Sequence, residues 1–73
     1  MSVIFVIGWK PGFNKIEMSR LLRQRLGYSL GEAKKFVDNI VGGQEVEFLV
    51  DSEVFDQLVT EFNGLGAILR IGS

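Results

Sequence analysis

Ser29-Leu30-Gly31-Glu32-Ala33-Lys34-Lys35-Phe36-Val37 is the stretch that decides the fold. A serine followed three residues later by glutamate is a capping box. The hydroxyl accepts from the backbone N–H of the glutamate, and the carboxylate accepts from the N–H of the serine. A helix therefore starts at about Leu30. Leu30, Ala33, Val37 and Ile40 recur at three- and four-residue steps and mark its buried stripe, with Phe36 and Val41 flanking it. Gly42-Gly43 ends it.

Upstream, Asn14 caps an earlier helix, with Glu17 three residues on. That helix runs from about Lys15 to Leu26, and its apolar positions are Met18, Leu21, Leu22 and Leu26. Gly27 fits the position just past a helix end, where positive φ is cheapest for glycine. Two helices separated by so short a connection form a helical hairpin.

Strands are expected on either side. Val3-Ile4-Phe5-Val6-Ile7 is apolar on both alternating sets, which reads as a strand buried on both sides or central in its sheet. Gly8 to Phe13 breaks it, with Pro11-Gly12 as the turn signal. Gln44 to Val50 alternates, with Val46, Phe48 and Val50 on one side and Glu45 and Glu47 on the other. Asp51 or Ser52 caps a third helix with the stripe Val54, Phe55, Leu58, Val59 and Phe62, stopped at Asn63-Gly64. Ala67 to Ile71 is a short last strand. The expected architecture is a two-layer α+β sandwich in the order β-α-α-β-α-β, a three-stranded sheet covered on one face by three helices.

The 73 residues are 47% apolar and 23% charged, enough to fold as one small domain. Such a chain buries only about 60% of its unfolded surface, and one core supplies about 3–5 kcal/mol. There is no Cys and no His, which removes disulfides, thiolate sites, the commonest metal ligand and the commonest general base. No cofactor and no catalytic residue is expected. The longest apolar run, Val3 to Ile7, is too short for a bilayer span or a signal-peptide core, so no membrane role and a cytoplasmic location are expected.

The net charge of −1 conceals a division. Residues 1–35 carry a balance of +5 and residues 36–73 one of −6. The small net charge argues against direct nucleic-acid binding, whereas a basic half steers toward acidic partners. The alternative is two ordinary solvated faces.

Several chemical motifs fail on spacing. Gly8-x-x-x-Gly12-Phe13-Asn14-Lys15 lacks the phosphate-loop order, and Ile16 after the lysine offers no hydroxyl to magnesium. Glu45 and Glu47 share a strand face without an accompanying base. Asp51, Glu53 and Asp56 suit a helix N-terminus and do not match a calcium loop. Trp9 and Phe13 flank the first turn; closing the end of the core is favoured over a partner contact.

Asn14-Lys15-Ile16, Arg20, Arg23, Gly27 and Leu30-x-Glu32-Ala33-Lys34-x-x-Val37 are similar to the N-K-[VI] start and L-x-E-A-K-x-x-V signature of one family. From Asn14 onward the chain resembles the C-terminal domain of the bacterial ribosomal stalk protein. Gly12 and the ending Gly66-Ala67-Ile68-Leu69-Arg70-Ile71 fit the same pattern. The resemblance implies the same fold, which ClpS-type adaptors share without a motif match. It also implies recruitment of a protein partner, translational GTPases such as elongation factors Tu and G, through the first two helices. The matching contact positions are Lys15, Ile16, Ser19, Arg20, Arg23, Leu30, Glu32 and Lys34. Ser19 stands where the family usually has an apolar residue, and Gly31 where it often has Lys. The chain starts at the first strand, so a stand-alone domain without the stalk protein's helical dimerisation domain and hinge is expected. A second reading, of a different class, is a self-associating structural or adaptor domain outside translation, with a homodimer formed through Trp9, Phe13 or a sheet edge.

Overall fold

A computed structural model describes residues 2–72. The elements are β1 (Ser2–Trp9), α1 (Lys15–Leu26), α2 (Leu30–Val41), β2 (Val46–Val50), α3 (Ser52–Gly64) and β3 (Ala67–Gly72). They form the expected α+β domain. The antiparallel sheet has the order β2-β1-β3, so β1 is central.

Local signals place the helix ends. The Asn14 side chain accepts from the Glu17 N–H at 3.0 Å. Gly27 has φ 75°, and its N–H reaches the Leu22 carbonyl. Both halves of the Ser29–Glu32 box are formed, at 3.2 and 3.0 Å. Asp51 occupies the N-cap position of α3 but its side chain makes no capping bond.

The core lies between one sheet face and the helices. Ile4, Val6, Val46, Phe48, Val50 and Ala67 from the sheet meet Met18, Leu22, Ala33, Val37, Ile40, Leu58 and Phe62 from the helices. α2 rests against β1 and β2, and α3 against β3 and β1. Four aromatic rings run through this layer. Tyr28, in the α1–α2 connection, meets Phe36 edge-on at 4.9 Å, Phe36 meets Phe48 at 5.0 Å, and Phe48 meets Phe62 at 6.0 Å.

Three expectations are corrected. β1 does not stop at Ile7; it continues through Trp9 because β3 pairs with it across a bulge between Val6 and Gly8. The extra residue shifts the alternation, so Trp9 stands opposite the buried Ala67. Its indole Nε1 donates to the Val41 carbonyl at 3.2 Å and closes the C-terminal end of α2. Phe13 is buried and closes the end of the core as expected, whereas Trp9 is 42% exposed and stands outside the core cluster. Second, Asn63-Gly64 lies within the last turn of α3, and the chain reverses at Gly66 (φ +96°). Third, Leu30 leaves the buried stripe and is 61% exposed. It is the first helical residue, and side chains lean toward the helix N-terminus, so it projects past the end of α2 rather than beneath it.

The β1–α1 connection is tied to that reversal. Lys10 N–H donates to the Gly66 carbonyl at 2.8 Å, and Asn14 N–H to Leu65 at 2.9 Å. Within the connection, Phe13 N–H reaches the Lys10 carbonyl across Pro11-Gly12, and Gly12 has φ +89°. Proline second and a positive-φ glycine third make a type II turn. A Cβ on Gly66 would stand 3.1 Å from the Phe13 Cα. Gly66→Ala therefore combines an unfavourable φ with a tight approach to the Phe13 backbone and is expected to cost about 2 kcal/mol. Chemical denaturation checks this; an unchanged midpoint would contradict the role given to Gly66.

Candidate functional site

The eight candidate positions do not form one patch. Lys15, Ile16, Arg20 and Arg23 are exposed along one side of α1, with the half-buried Ser19 at the edge toward the buried Met18 and Leu22. Ile16 is 84% exposed, an apolar side chain in water on the first turn. Arg20 and Arg23 then meet α2 at the hairpin connection. With Gln24, Tyr28, Ser29 and Leu30 they line an open groove. An exposed leucine lining the same groove as two arginines offers apolar contact and cationic hydrogen-bond donors in one place.

Lys34 lies one turn beyond Leu30 on α2 and is exposed. Glu32 is elsewhere. Two residues from Leu30, it sits on a different side of the helix, beside a second groove lined with Lys35, Phe36 and Asn39. Its carboxylate is also engaged in the cap. Sequence matching grouped Glu32 with Leu30 and Lys34; the structure separates them and gives Glu32 a local structural role.

The cap has an electrostatic consequence. Hydrogen bonds from the Ser29 backbone N–H, and then from its side chain, hold the Glu32 carboxyl below the ordinary value of 4.5, against a small opposing effect of desolvation. A carboxylate with a lowered folded pKa stabilises the fold fully above its unfolded pKa. That contribution is lost as pH falls through the lowered folded value. Glu32→Gln retains a capping-box side chain without the titrating group. Its stability should fall less steeply than the parent's between roughly pH 5 and 3. Identical slopes in a pH series of denaturation curves would contradict the assignment.

Charge pairing sharpens the basic character of the hairpin. Among the described residues there are three ion pairs: Arg20–Glu17, Arg25–Glu61 and Arg70–Glu45. Lys15, Arg23, Lys34 and Lys35 take part in none of them. The Arg20–Glu17 pair at 2.8 Å is largely exposed and lies within α1; exposed pairs of this kind are weak and open to exchange with a partner. Arg25 leans the other way, bridging α1 to α3. Arg23 is thus the unpaired cation at the groove, with Lys15 and Lys34 on its flanks.

Gln24 and Tyr28 belong to the groove but were not among the sequence candidates. Tyr28 carried a usable signal, an aromatic residue in a three-residue helix connection. Its ring anchors the connection to Phe36 and Phe48, which fixes the groove wall.

Among the described residues no cluster of three or more acidic side chains is placed to hold a metal ion, and no helix is long and apolar enough to cross a membrane. No protein-family model, no curated protein and no solved structure matches the chain at a significant level.

Proposed function

We propose that this domain is a non-enzymatic protein-docking module that receives an acidic partner on the basic face of its helical hairpin. The observation that carries the reading is the groove that Arg20 and Arg23 of α1 line together with the exposed Leu30 of α2. Ile16 adds a second apolar contact, and Lys15 and Lys34 extend the positive field. An acidic segment with an apolar side chain answers both features: its carboxylates meet the cations and its apolar group covers Leu30. No lone lysine surface would require the apolar component.

The stalk-domain resemblance of Lys15, Arg20, Arg23 and Lys34 makes translational GTPases, in the cytoplasm, the first partners to test. Titration of the labelled domain with elongation factors Tu and G at low salt is the test. Saturable binding that weakens with added salt supports the reading. No binding at high micromolar concentration would remove translation from it.

A further inference from the structure

We propose that the helix-free face of the sheet is a self-recognition surface that pairs with a second copy of this chain, β1 along β1, about a two-fold axis parallel to that strand. This surface is separate from the hairpin, on the other side of the domain. The strand register defines it. Val3 stands between Leu49 and Gly72, and Phe5 between Glu47 and Arg70. Gly8 stands opposite Ile68 beside the bulge. These side chains share the face opposite Ile4, Val6 and Phe48. The face is unusually apolar for one exposed to water: Leu49 is 63% exposed, Ile7 40% and Ile68 38%.

The occupant follows from the order of groups across the sheet. The middle row reads anion, aromatic ring, cation: Glu47, Phe5, Arg70. A two-fold axis along β1 exchanges left and right, so Glu47 of each copy faces Arg70 of the other. The same operation sets the exposed Leu49 of each copy against the second copy's Gly72 and the Phe5 ring that leans over that glycine, an apolar contact. A two-fold axis perpendicular to the strands places Glu47 against Glu47 and offers neither match. Parallel β1 strands also agree with the aligned class of sheet packing. Both pairings are self-complementary, as a symmetric contact requires.

In the single domain Arg70 lies over the Phe5 ring, its guanidinium carbon 4.5 Å from the centroid, and reaches Glu45 at 2.9 Å. That ion pair is exposed on both sides. It covers Phe5 in the monomer and can exchange Glu45 for the second copy's Glu47. The three strands, about 4.8 Å apart, give each copy only about 400 Å² to bury, half of a standard half-interface. The pairing is therefore reversible and concentration-dependent.

Sedimentation velocity over a series from about 10 µM to 1 mM tests it. The parent should pass from monomer to dimer within the series. Glu47→Arg and Arg70→Glu should each raise the required concentration about tenfold or more. The double variant, which mirrors the row, should return to within about threefold of the parent. Leu49→Asp, at an exposed site, should abolish the dimer while leaving the circular dichroism spectrum unchanged. A parent that stays monomeric throughout, or a double variant no better than the singles, overturns the proposal. Because the hairpin is untouched by these substitutions, elongation-factor binding can fail or succeed independently.

Discussion

Phe48→Ala should unfold the domain at room temperature. Phe48 is 1% exposed and occupies the middle of the aromatic line from Tyr28 and Phe36 to Phe62. Removing a buried phenyl ring costs about 3–5 kcal/mol, part of it lost transfer free energy and part the cavity left behind. A domain of this size has about 3–5 kcal/mol in total, so the two quantities meet. Phe48 belongs to β2, Phe36 to α2 and Phe62 to α3, and its loss removes contacts from three elements at once. Circular dichroism and urea denaturation decide the matter. Phe48→Leu, which retains most of the volume, should stay folded with a loss of about 1.5 kcal/mol. A cooperative transition for the alanine variant close to the parent's would show that the helices and sheet hold together without the aromatic layer.

The second large effect is on binding. Arg23→Glu should weaken association with an acidic partner by about a hundredfold at low salt, through loss of one attraction and gain of one repulsion. The side chain is exposed and unpaired, so stability should shift by no more than about 0.5 kcal/mol. The effect should shrink as ionic strength rises. Lys35→Glu is the matched control. It changes the same net charge on the same hairpin but lies beside Phe36 and Asn39 in the other groove. Equal losses from both substitutions would mean that net charge alone, and not the Arg20–Arg23–Leu30 groove, governs binding.

What the sequence disclosed follows the range of the interactions involved. The Ser29–Glu32 box, the Asn14 cap and the positive φ of Gly27 are settled within three or four residues, and all formed where their patterns placed them. The alternation of Val46, Phe48 and Val50 similarly identified the buried side of β2. What depends on distant partners was not legible. The bulge that carries β1 to Trp9 exists because β3 pairs there, and the indole finds Val41 thirty-two residues away. Periodicity put Leu30 inside because it treats every turn alike, yet a first-turn side chain has nothing above it.

The candidate site divides along the same line. Its α1 members share a face through helical spacing, so their grouping was readable. The joining of Arg20 and Arg23 to Leu30 depends on how the two helices meet. Glu32 was grouped by motif position, although its two-residue offset from Leu30 sets it on another side of α2, where its carboxylate serves the cap.

The proposed docking surface is tested most directly by an NMR titration of the isotopically labelled domain with elongation factor Tu or G at low salt. Saturable shift or intensity changes should centre on Ile16, Arg20, Arg23, Leu30 and Lys34, with β1, β2 and β3 unaffected. Changes confined to the sheet would contradict it, and no change at high micromolar factor would remove translational GTPases as its partners.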